Sequence, residues 1–252
     1  MLKRASEMKE VPPYSRLASI YDYVMRHVDY AHWTDYVESL LQRHGLVPSR
    51  VLDLACGTGS LAVEFWKRGY QVAGADACEE MLAVAREKVR MVGCDIPFYH
   101  KSLLGLKGLS RFEWVLCLYD SINYLMTLEE VSRALEEIHR VVEPGGLFIF
   151  DICTETNSLR YFRDMTDKDR GSGFSYIRRS YYDRGIQFNR FEIHFAATHE
   201  AVWEVHQQRI YPLSDIERVI EASSFQAEGA YGGFGLLPPN DQSDRVHFVL
   251  RA

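Results

Sequence analysis

The chain has 252 residues, of which 47% are hydrophobic and 25% charged, and its formal net charge is −6. This length and apolar fraction predict one large α/β domain, residues 1–252, with a full hydrophobic core. The basic residues are scattered, which disfavours a protein that coats a nucleic-acid backbone, because such binding requires clustered positive charge. These observations do not exclude a tRNA substrate that is bound by a local basic patch.

The cysteines and the apolar stretches bear on the cellular setting. The cysteines are odd in number, lie far apart and form no Cys-x-x-Cys pair, so they indicate neither a disulfide framework nor a zinc site. We expect reduced thiols in a cytoplasmic protein with no bound metal. No stretch approaches the length needed to cross a bilayer. The thiols are Cys56, Cys78, Cys94, Cys117 and Cys153.

The chain before residue 50 is rich in aromatic residues. After a loose first dozen residues ending at Pro12 and Pro13, we expect helical structure. We interpret residues 1–49 as a helical lid that roofs a pocket; the alternative is that the aromatics pack against one flank of a sheet. The aromatic positions are Tyr14, Tyr21, Tyr23, Tyr30, Trp33 and Tyr36.

The middle of the chain alternates short apolar runs with helical patterns, which is typical of a parallel sheet with crossover helices. A left-handed glycine is expected at Gly69, and Thr127 with Glu130 predicts a capping box. The predicted strands cover 50–54, 71–75, 97–100, 113–118 and 146–151, and the predicted helices cover 60–67, 79–92 and 128–142.

The pattern then changes to an antiparallel meander within residues 155–212, followed by a helix with a second predicted capping box at Ser214 and Glu217. Strands near 226–231 and 246–250 end the chain. In the run "WEVHQQRIY", strand alternation places Glu204, His206 and Gln208 on one face and Trp203, Arg209 and Tyr211 on the other. We expect the Glu204 face to be solvated; a role in a substrate pocket is the alternative.

The stretch "VLDLACGTGS" places Asp53 near the end of the first strand and two glycines in the turn to the next helix. Glycines there allow a ligand to approach the backbone and the free amides of the helix start. Asp76 ends the second strand, where a carboxylate can accept both ribose hydroxyls. These residues indicate an adenosine ligand at the carboxyl edge of the sheet, and both NAD and S-adenosylmethionine fit.

The order of four motifs resembles the class I S-adenosylmethionine-dependent methyltransferases. "VLDLACGTGS" is similar to the first motif of that family, "VAGADACEEMLAVAR" to its second-strand segment, "WVLCLYDSINYL" to its fourth-strand motif, and "VVEPGGLFIFDI" to its fifth strand. The resemblance implies a Rossmann-like, seven-stranded, mostly parallel sheet flanked by helices. It also implies an antiparallel strand insertion after the fifth strand, with residues 155–212 covering the active site.

The same resemblance implies a set of cofactor contacts. The glycine turn would line the methionine part of the cofactor, Asp76 would bind the ribose, and Ser102 stands where an acidic adenine contact is usual. The implied positions are Tyr21, Trp33, Asp53, Ala55, Cys56, Gly57, Gly59, Asp76, Ala77, Met81, Ser102, Leu103, Leu118 and Tyr119.

The acceptor side carries weaker signals. The x-His-x-Gln-Arg-x-Tyr run is similar to one in bacterial small-molecule methyltransferases, including those that methylate amino groups of sugars. The matching positions here are His206, Gln208, Arg209 and Tyr211. Asp120 follows the fourth strand, at the sheet edge where chemistry is expected. The candidate catalytic residues are therefore Asp120, His206, Arg209 and Tyr211.

These features predict transfer of a methyl group from S-adenosylmethionine to a nitrogen or oxygen of a small molecule, by in-line displacement. The alternatives are a tRNA-modifying methyltransferase, a non-catalytic S-adenosylmethionine-binding protein and a nicotinamide oxidoreductase. We expect a small-molecule partner, neither nucleic acid nor membrane, and either a monomer or a homodimer.

Overall fold

A computed structural model describes residues 8–252. Part of the segment that we expected to be loose, residues 1–7, lies outside the described residues. The expectation is wrong for Lys9–Glu10, which form a strand, β1, because their backbone pairs with Val202 and Trp203. The rest of the N-terminal part contains a 3₁₀ turn (Leu17–Ile20), α1 (Tyr21–Val24) and α2 (Tyr30–Arg43).

The remaining elements follow in two groups. The central group consists of β2 (Arg50–Leu54), α3 (Ser60–Lys67), β3 (Gln71–Asp76), α4 (Glu79–Val92), β4 (Phe98–His100), β5 (Phe112–Cys117), a 3₁₀ turn (Ser121–Tyr124), α5 (Leu128–Val141) and β6 (Val142–Cys153). The C-terminal group consists of α6 (Glu155–Asn157), a π turn (Ser158–Phe162), β7 (Asp164–Gly171), β8 (Phe174–Asp183), β9 (Ile186–Phe195), β10 (Ala201–Arg209), α7 (Leu213–Glu221), β11 (Gln226–Gly232) and β12 (Arg245–Arg251).

The central sheet has seven strands in the order β11-β12-β6-β5-β2-β3-β4. The strands β2 to β6 pair in parallel, whereas β12 runs antiparallel to β6 and β11 antiparallel to β12. This topology confirms the predicted mostly parallel, Rossmann-like sheet. The carboxyl ends of β2, β3 and β5 therefore meet at one edge, where ligands of such sheets bind.

Both faces of the central sheet are buried, as expected for parallel strands covered by helices. On one face Phe148 and Phe150 stack at 5.1 Å among the side chains of α5 and α7. On the other face Trp114 packs edge-on against Phe65 of α3 at 4.8 Å. Phe148 and Phe150 of β6 thus belong to one layer of the core, and Trp114 of β5 belongs to the other.

The second sheet has the order β1-β10-β9-β8-β7. It contains the predicted antiparallel insertion and a strand that the sequence did not predict, β7, whose residues are mostly polar. Arg184 and Gly185 both have positive φ angles, 46° and 77°, which gives the predicted turn between β8 and β9. No helix within residues 8–252 is long and apolar enough to cross a membrane.

Two predicted capping boxes have different outcomes. The Thr127 hydroxyl accepts a hydrogen bond from the Glu130 amide and the Glu130 carboxylate accepts one from the Thr127 amide, so this box is confirmed. The box at Ser214 is wrong, because α7 begins at Leu213 with Pro212 as its N-cap and no side chain caps it. Ser214 therefore lies inside the first turn, where it has no capping geometry.

This difference predicts unequal effects of two alanine substitutions. Thr127→Ala should lower the free energy of unfolding by about 1 kcal/mol, because the first turn of α5 loses an amide acceptor. Ser214→Ala should change it by less than about 0.5 kcal/mol. Urea unfolding of both variants measures the difference; equal losses would contradict the capping assignment.

Candidate active site

The turn between β2 and α3 is built from left-handed backbone conformations. Ala55, Gly57 and Gly59 have φ angles of 54°, 54° and 73°. A β-carbon placed on Gly57 meets nothing within 4 Å, so this residue faces open space. A β-carbon on Gly59 would approach the Phe98 ring at 3.0 Å, so Gly59 packs towards β4 and caps α3.

Asp76, at the end of β3, holds this turn in place. Its Oδ2 accepts a hydrogen bond from the Gly57 amide and its Oδ1 accepts one from the Cys78 amide, each at 2.8 Å. Burial raises the pKa of its carboxyl above the ordinary value, while the backbone donors act in the opposite direction. Asp76 thus braces the glycine turn through hydrogen bonds to the backbone on both of its carboxylate oxygens.

Asp53 lies beneath the turn with only 3% of its surface exposed. Its Oδ2 has no hydrogen-bond partner within the described part of the chain. Burial, reinforced by the charge of nearby Asp76, raises the pKa of Asp53 to about 8. A buried carboxyl without a partner is favoured in its neutral form unless a cation approaches it.

A cavity of about 400 Å³ opens above these residues. Every cofactor-contact candidate predicted from the sequence lies on its wall except Gly59. The serine that replaces the usual acidic residue, Ser102, is on the wall together with Lys101. The contacts themselves stay a prediction, but the structure brings the candidates to one concave surface.

A second cavity of about 210 Å³ adjoins the first. The two cavities share four wall residues, all of them tyrosines. The second cavity extends under the antiparallel sheet and contains two of the candidate catalytic residues, Asp120 and His206. The shared tyrosines are Tyr14, Tyr21, Tyr119 and Tyr124.

A chain of hydrogen-bonding groups runs along the wall between the cavities. The hydroxyls of Tyr14 and Tyr124 lie 2.5 Å apart, and the Tyr124 hydroxyl lies 3.3 Å from Nδ1 of His206. On the other side of the ring, Nε2 of His206 lies 3.2 Å from Oε2 of Glu204. Burial raises the pKa values of both tyrosines, so their hydroxyls are neutral donors and acceptors.

Glu204 is completely buried, so the expectation of a solvated face on β10 is wrong. Its carboxylate accepts hydrogen bonds from the backbone amides of Tyr14, Arg16 and Leu17 at 2.7, 2.6 and 2.9 Å. The strand alternation was predicted correctly, but this face is covered by the N-terminal segment. No group of three His, Cys, Asp or Glu residues within 8–252 is arranged to hold a metal ion.

The N-terminal segment is also held to the glycine turn. Thr58 donates a hydrogen bond to Asp22 of α1 at 2.6 Å, and the Lys88 ammonium donates to Asp22, Thr58 and Ser60. Burial lowers the pKa of Lys88 while the Asp22 carboxylate opposes that shift. This network and Glu204 fix the segment at two separate points above the cavities.

Asp120 lies in an irregular turn after β5. Both Tyr119 and Asp120 have left-handed backbones, with φ angles of 64° and 53°. The Asp120 carboxylate pairs with Arg245 at 2.7 Å and also accepts a hydrogen bond from Gln208. Because these partners occupy it, Asp120 is better suited to fixing the wall than to accepting a proton.

The other two catalytic candidates lie outside both cavities. Arg209 follows Gln208 on β10, so strand alternation turns its side chain to the opposite face. Tyr211 comes after the strand and its hydroxyl donates to the Leu125 carbonyl at 2.6 Å. Asn123 is likewise structural, because its side chain bridges the Arg209 carbonyl and the Cys153 amide.

Sequence reasoning missed several polar residues of the second cavity, among them Tyr124, Arg178 and Arg245. Tyr124 lies in the quoted fourth-strand motif, and its place after β5 was a usable signal. Arg178 and Arg245 come from β8 and β12, far apart in sequence, and no motif marks them. The guanidinium of Arg245 lies 5.3 Å from the ring centres of both Trp33 and Tyr119, which joins β12 to α2 and to the turn after β5.

Comparison with known proteins shows which family the chain belongs to. The "Methyltransferase domain" family matches residues 51–146. The chain is 31% identical over 240 residues to a Bacillus subtilis (strain 168) protein described as "Putative methyltransferase YqeM", covering 93% of this chain and 95% of that protein. It is 26% identical over 223 residues to the dTDP-3-amino-3,4,6-trideoxy-alpha-D-glucopyranose N,N-dimethyltransferase of Streptomyces venezuelae, covering 86% of this chain and 92% of that protein.

A solved structure shows the same fold. An S-adenosylmethionine-dependent methyltransferase from Clostridium acetobutylicum ATCC 824 matches with a TM-score of 0.79 and 22% identity, over 94% of this chain and 98% of that chain. The chain therefore belongs to the class I methyltransferases. It is an enzyme of the S-adenosylmethionine-dependent kind, as the motif order predicted, and the nicotinamide oxidoreductase alternative is excluded.

The raised pKa of Asp53 predicts how stability depends on pH. The pKa of about 8 keeps this carboxyl protonated in the folded chain up to about pH 8, whereas the unfolded chain loses the proton near the ordinary aspartate pKa of 3.8. Between these values unfolding releases a proton, so stability falls as pH rises. Asp53→Asn keeps a neutral group at this position across the whole range. Between about pH 5 and pH 8 the melting temperature of this variant should therefore fall by several degrees less than that of the wild type.

The control is the exposed Asp95→Asn, which should follow the wild-type curve. Melting curves of the ligand-free protein recorded by circular dichroism across this range give the comparison. Parallel curves for wild type and Asp53→Asn would show that Asp53 is ionised in the folded chain.

Proposed function

We propose that the protein transfers a methyl group from S-adenosylmethionine to a nitrogen or oxygen of a small-molecule acceptor, with the donor in the 400 Å³ cavity and the acceptor in the 210 Å³ cavity. The observation that carries the proposal is the shared wall of four tyrosines, which gives two ligands one common boundary. The sugar N,N-dimethyltransferase among the relatives supports a small acceptor with an amino group.

The larger cavity fits the methyl donor. Gly57 leaves its backbone open to the methionine part, the carboxylate of Asp76 lies at the edge where a ribose would bind, and Asp53 offers an unpartnered oxygen to a cation. When bound, the donor supplies a methyl group on a positively charged sulfur. The faces of Tyr21 and Trp33 on the cavity wall would favour that charge through cation–π attraction.

The chain of Tyr14, Tyr124 and His206 would serve the acceptor. In methyl transfer a bond forms between the acceptor atom and the methyl carbon while the carbon–sulfur bond breaks, and an amine or hydroxyl acceptor also loses a proton. Tyr124 can orient the acceptor atom and pass that proton to Nδ1 of His206. The N-terminal segment above the cavities would exclude water during this step.

Ligand titration of Asp76→Ala tests the donor site. S-adenosylmethionine and S-adenosylhomocysteine should raise the melting temperature of the wild type, because each binds only the native state. Asp76→Ala should lose most of this shift, since the ribose contact and the brace of the Gly57 amide are both removed. The exposed Asp95→Ala should respond like the wild type, and an unchanged shift in Asp76→Ala would refute the assignment.

Steady-state kinetics of Tyr124→Phe test the acceptor site. Loss of the hydroxyl breaks the chain from Tyr14 to His206, so kcat should fall by about tenfold or more while S-adenosylhomocysteine binding stays the same. Tyr181→Phe, on an exposed tyrosine of β8, is the matched control. An unchanged kcat would exclude this route for the proton, and binding without turnover of any acceptor would favour a non-catalytic S-adenosylmethionine-binding protein.

A further inference from the structure

The smaller cavity contains two arginines that differ in their ion pairs. Arg178 of β8 lies on the cavity wall, and among the residues that the structure describes it forms no salt bridge. The cavity's other arginine, Arg245, is paired with both Asp120 and Asp151. Arg179, the next residue along β8, pairs with Glu192 on the opposite face.

The guanidinium of Arg178 is held rigidly. Its Nε and Nη2 atoms donate to Oδ1 of Asn189 at 3.2 and 2.7 Å. Its carbon centre lies 5.0 Å from the ring of Phe162 and 5.5 Å from the ring of Phe191. An arginine has five N–H donors, and the hydrogen bonds to Asn189 use Nε and Nη2, so Nη1, the free side of the guanidinium, has no hydrogen-bond partner among residues 8–252.

The acidic groups near Arg178 do not occupy this free side. Asp120 is engaged by Arg245 and Gln208, and Asp167, opposite Arg178 on β7, accepts a hydrogen bond from Tyr176 at 3.1 Å. Burial lowers the pKa of Arg178, with opposing contributions from Tyr124, Asp120 and Asp167. The Arg178 guanidinium is partly desolvated and has no acidic partner among residues 8–252. Binding of an oxyanion would therefore compensate its charge.

We propose that the acceptor carries an anionic oxygen group, phosphoryl or carboxylate, that binds the free side of the Arg178 guanidinium. The planar fork of a guanidinium matches the paired oxygens of such groups. Arg178 is then a specificity-determining residue of the smaller cavity, while Tyr124 and His206 act at the methylated atom. This inference rests on the proposed function, because it assigns the smaller cavity to the acceptor.

Anion binding tests the assignment without knowledge of the acceptor. The protein saturated with S-adenosylhomocysteine is titrated with inorganic pyrophosphate in one arm and with malonate in the other, at constant ionic strength. The wild type should bind one of them saturably, and Arg178→Gln should weaken that binding by about tenfold or more, as expected for loss of a charge-assisted hydrogen bond. The arm that binds more tightly identifies the phosphoryl or the carboxylate class.

Two further variants control this titration. Arg179→Gln removes a neighbouring positive charge from the exposed face of the same strand and should bind like the wild type. Arg178→Lys keeps the charge but not the fork and should lie between the wild type and Arg178→Gln. If neither anion binds the wild type saturably, or if Arg178→Gln and Arg179→Gln weaken binding equally, the inference is overturned.

A kinetic experiment separates this inference from the proposed function. Pairs of amino compounds with and without a phosphate or carboxylate group are tested as acceptors. For anionic acceptors Arg178→Gln should raise KM about tenfold with little change in kcat, whereas neutral acceptors should be unaffected. Equal turnover of anionic and neutral members by the wild type would overturn the inference while the proposed function stands. Turnover of none would count against the proposed function, and the pyrophosphate and malonate titrations would still decide the role of Arg178.

Discussion

The buried carboxylate of Glu204 holds the N-terminal segment that contributes residues to the walls of both cavities. It lies on β10 of the smaller sheet and accepts hydrogen bonds from three successive parts of the N-terminal segment, at Tyr14, Arg16 and Leu17. A fully desolvated carboxylate is stable only when such donors surround it. The same residue therefore orders the segment that brings Tyr14 and Tyr21 over the glycine turn, and it orients the ring of His206 beneath them.

The wall of the larger cavity, where we propose that the donor binds, could be predicted from the sequence because its geometry is local. The end of a parallel strand, a left-handed turn and a following helix lie within Asp53 to Ser60, and their spacing fixes where the backbone opens. Asp76 follows from the same rule on the neighbouring strand, since parallel strands share one carboxyl edge. Most of the sequence-derived cofactor candidates accordingly lie on one wall.

The wall of the smaller cavity, where we propose that the acceptor binds, could not be predicted to the same extent, because it is assembled from distant elements. Alternation along β10 grouped Glu204 with His206 correctly, but only the tertiary structure shows that another segment covers that face. Arg178 can be recognised as a candidate binding residue only from its surroundings in the structure. It contacts Asn189 and Phe162, and it has no carboxylate partner within residues 8–252. Ser214 shows the converse, because a local pattern was present and the preceding Pro212 shifted the helix start.

The left-handed backbones at Tyr119 and Asp120 have a consequence for how this fold tolerates change. Glycine would adopt these angles without strain, whereas the residues present carry a steric cost of the order of 1 kcal/mol each. Their side chains compensate, since the ring of Tyr119 lies against Trp33 and the carboxylate of Asp120 anchors Arg245. A glycine at either position would relieve this steric cost but would remove one of these two contacts, so its net effect on stability is the difference between the two.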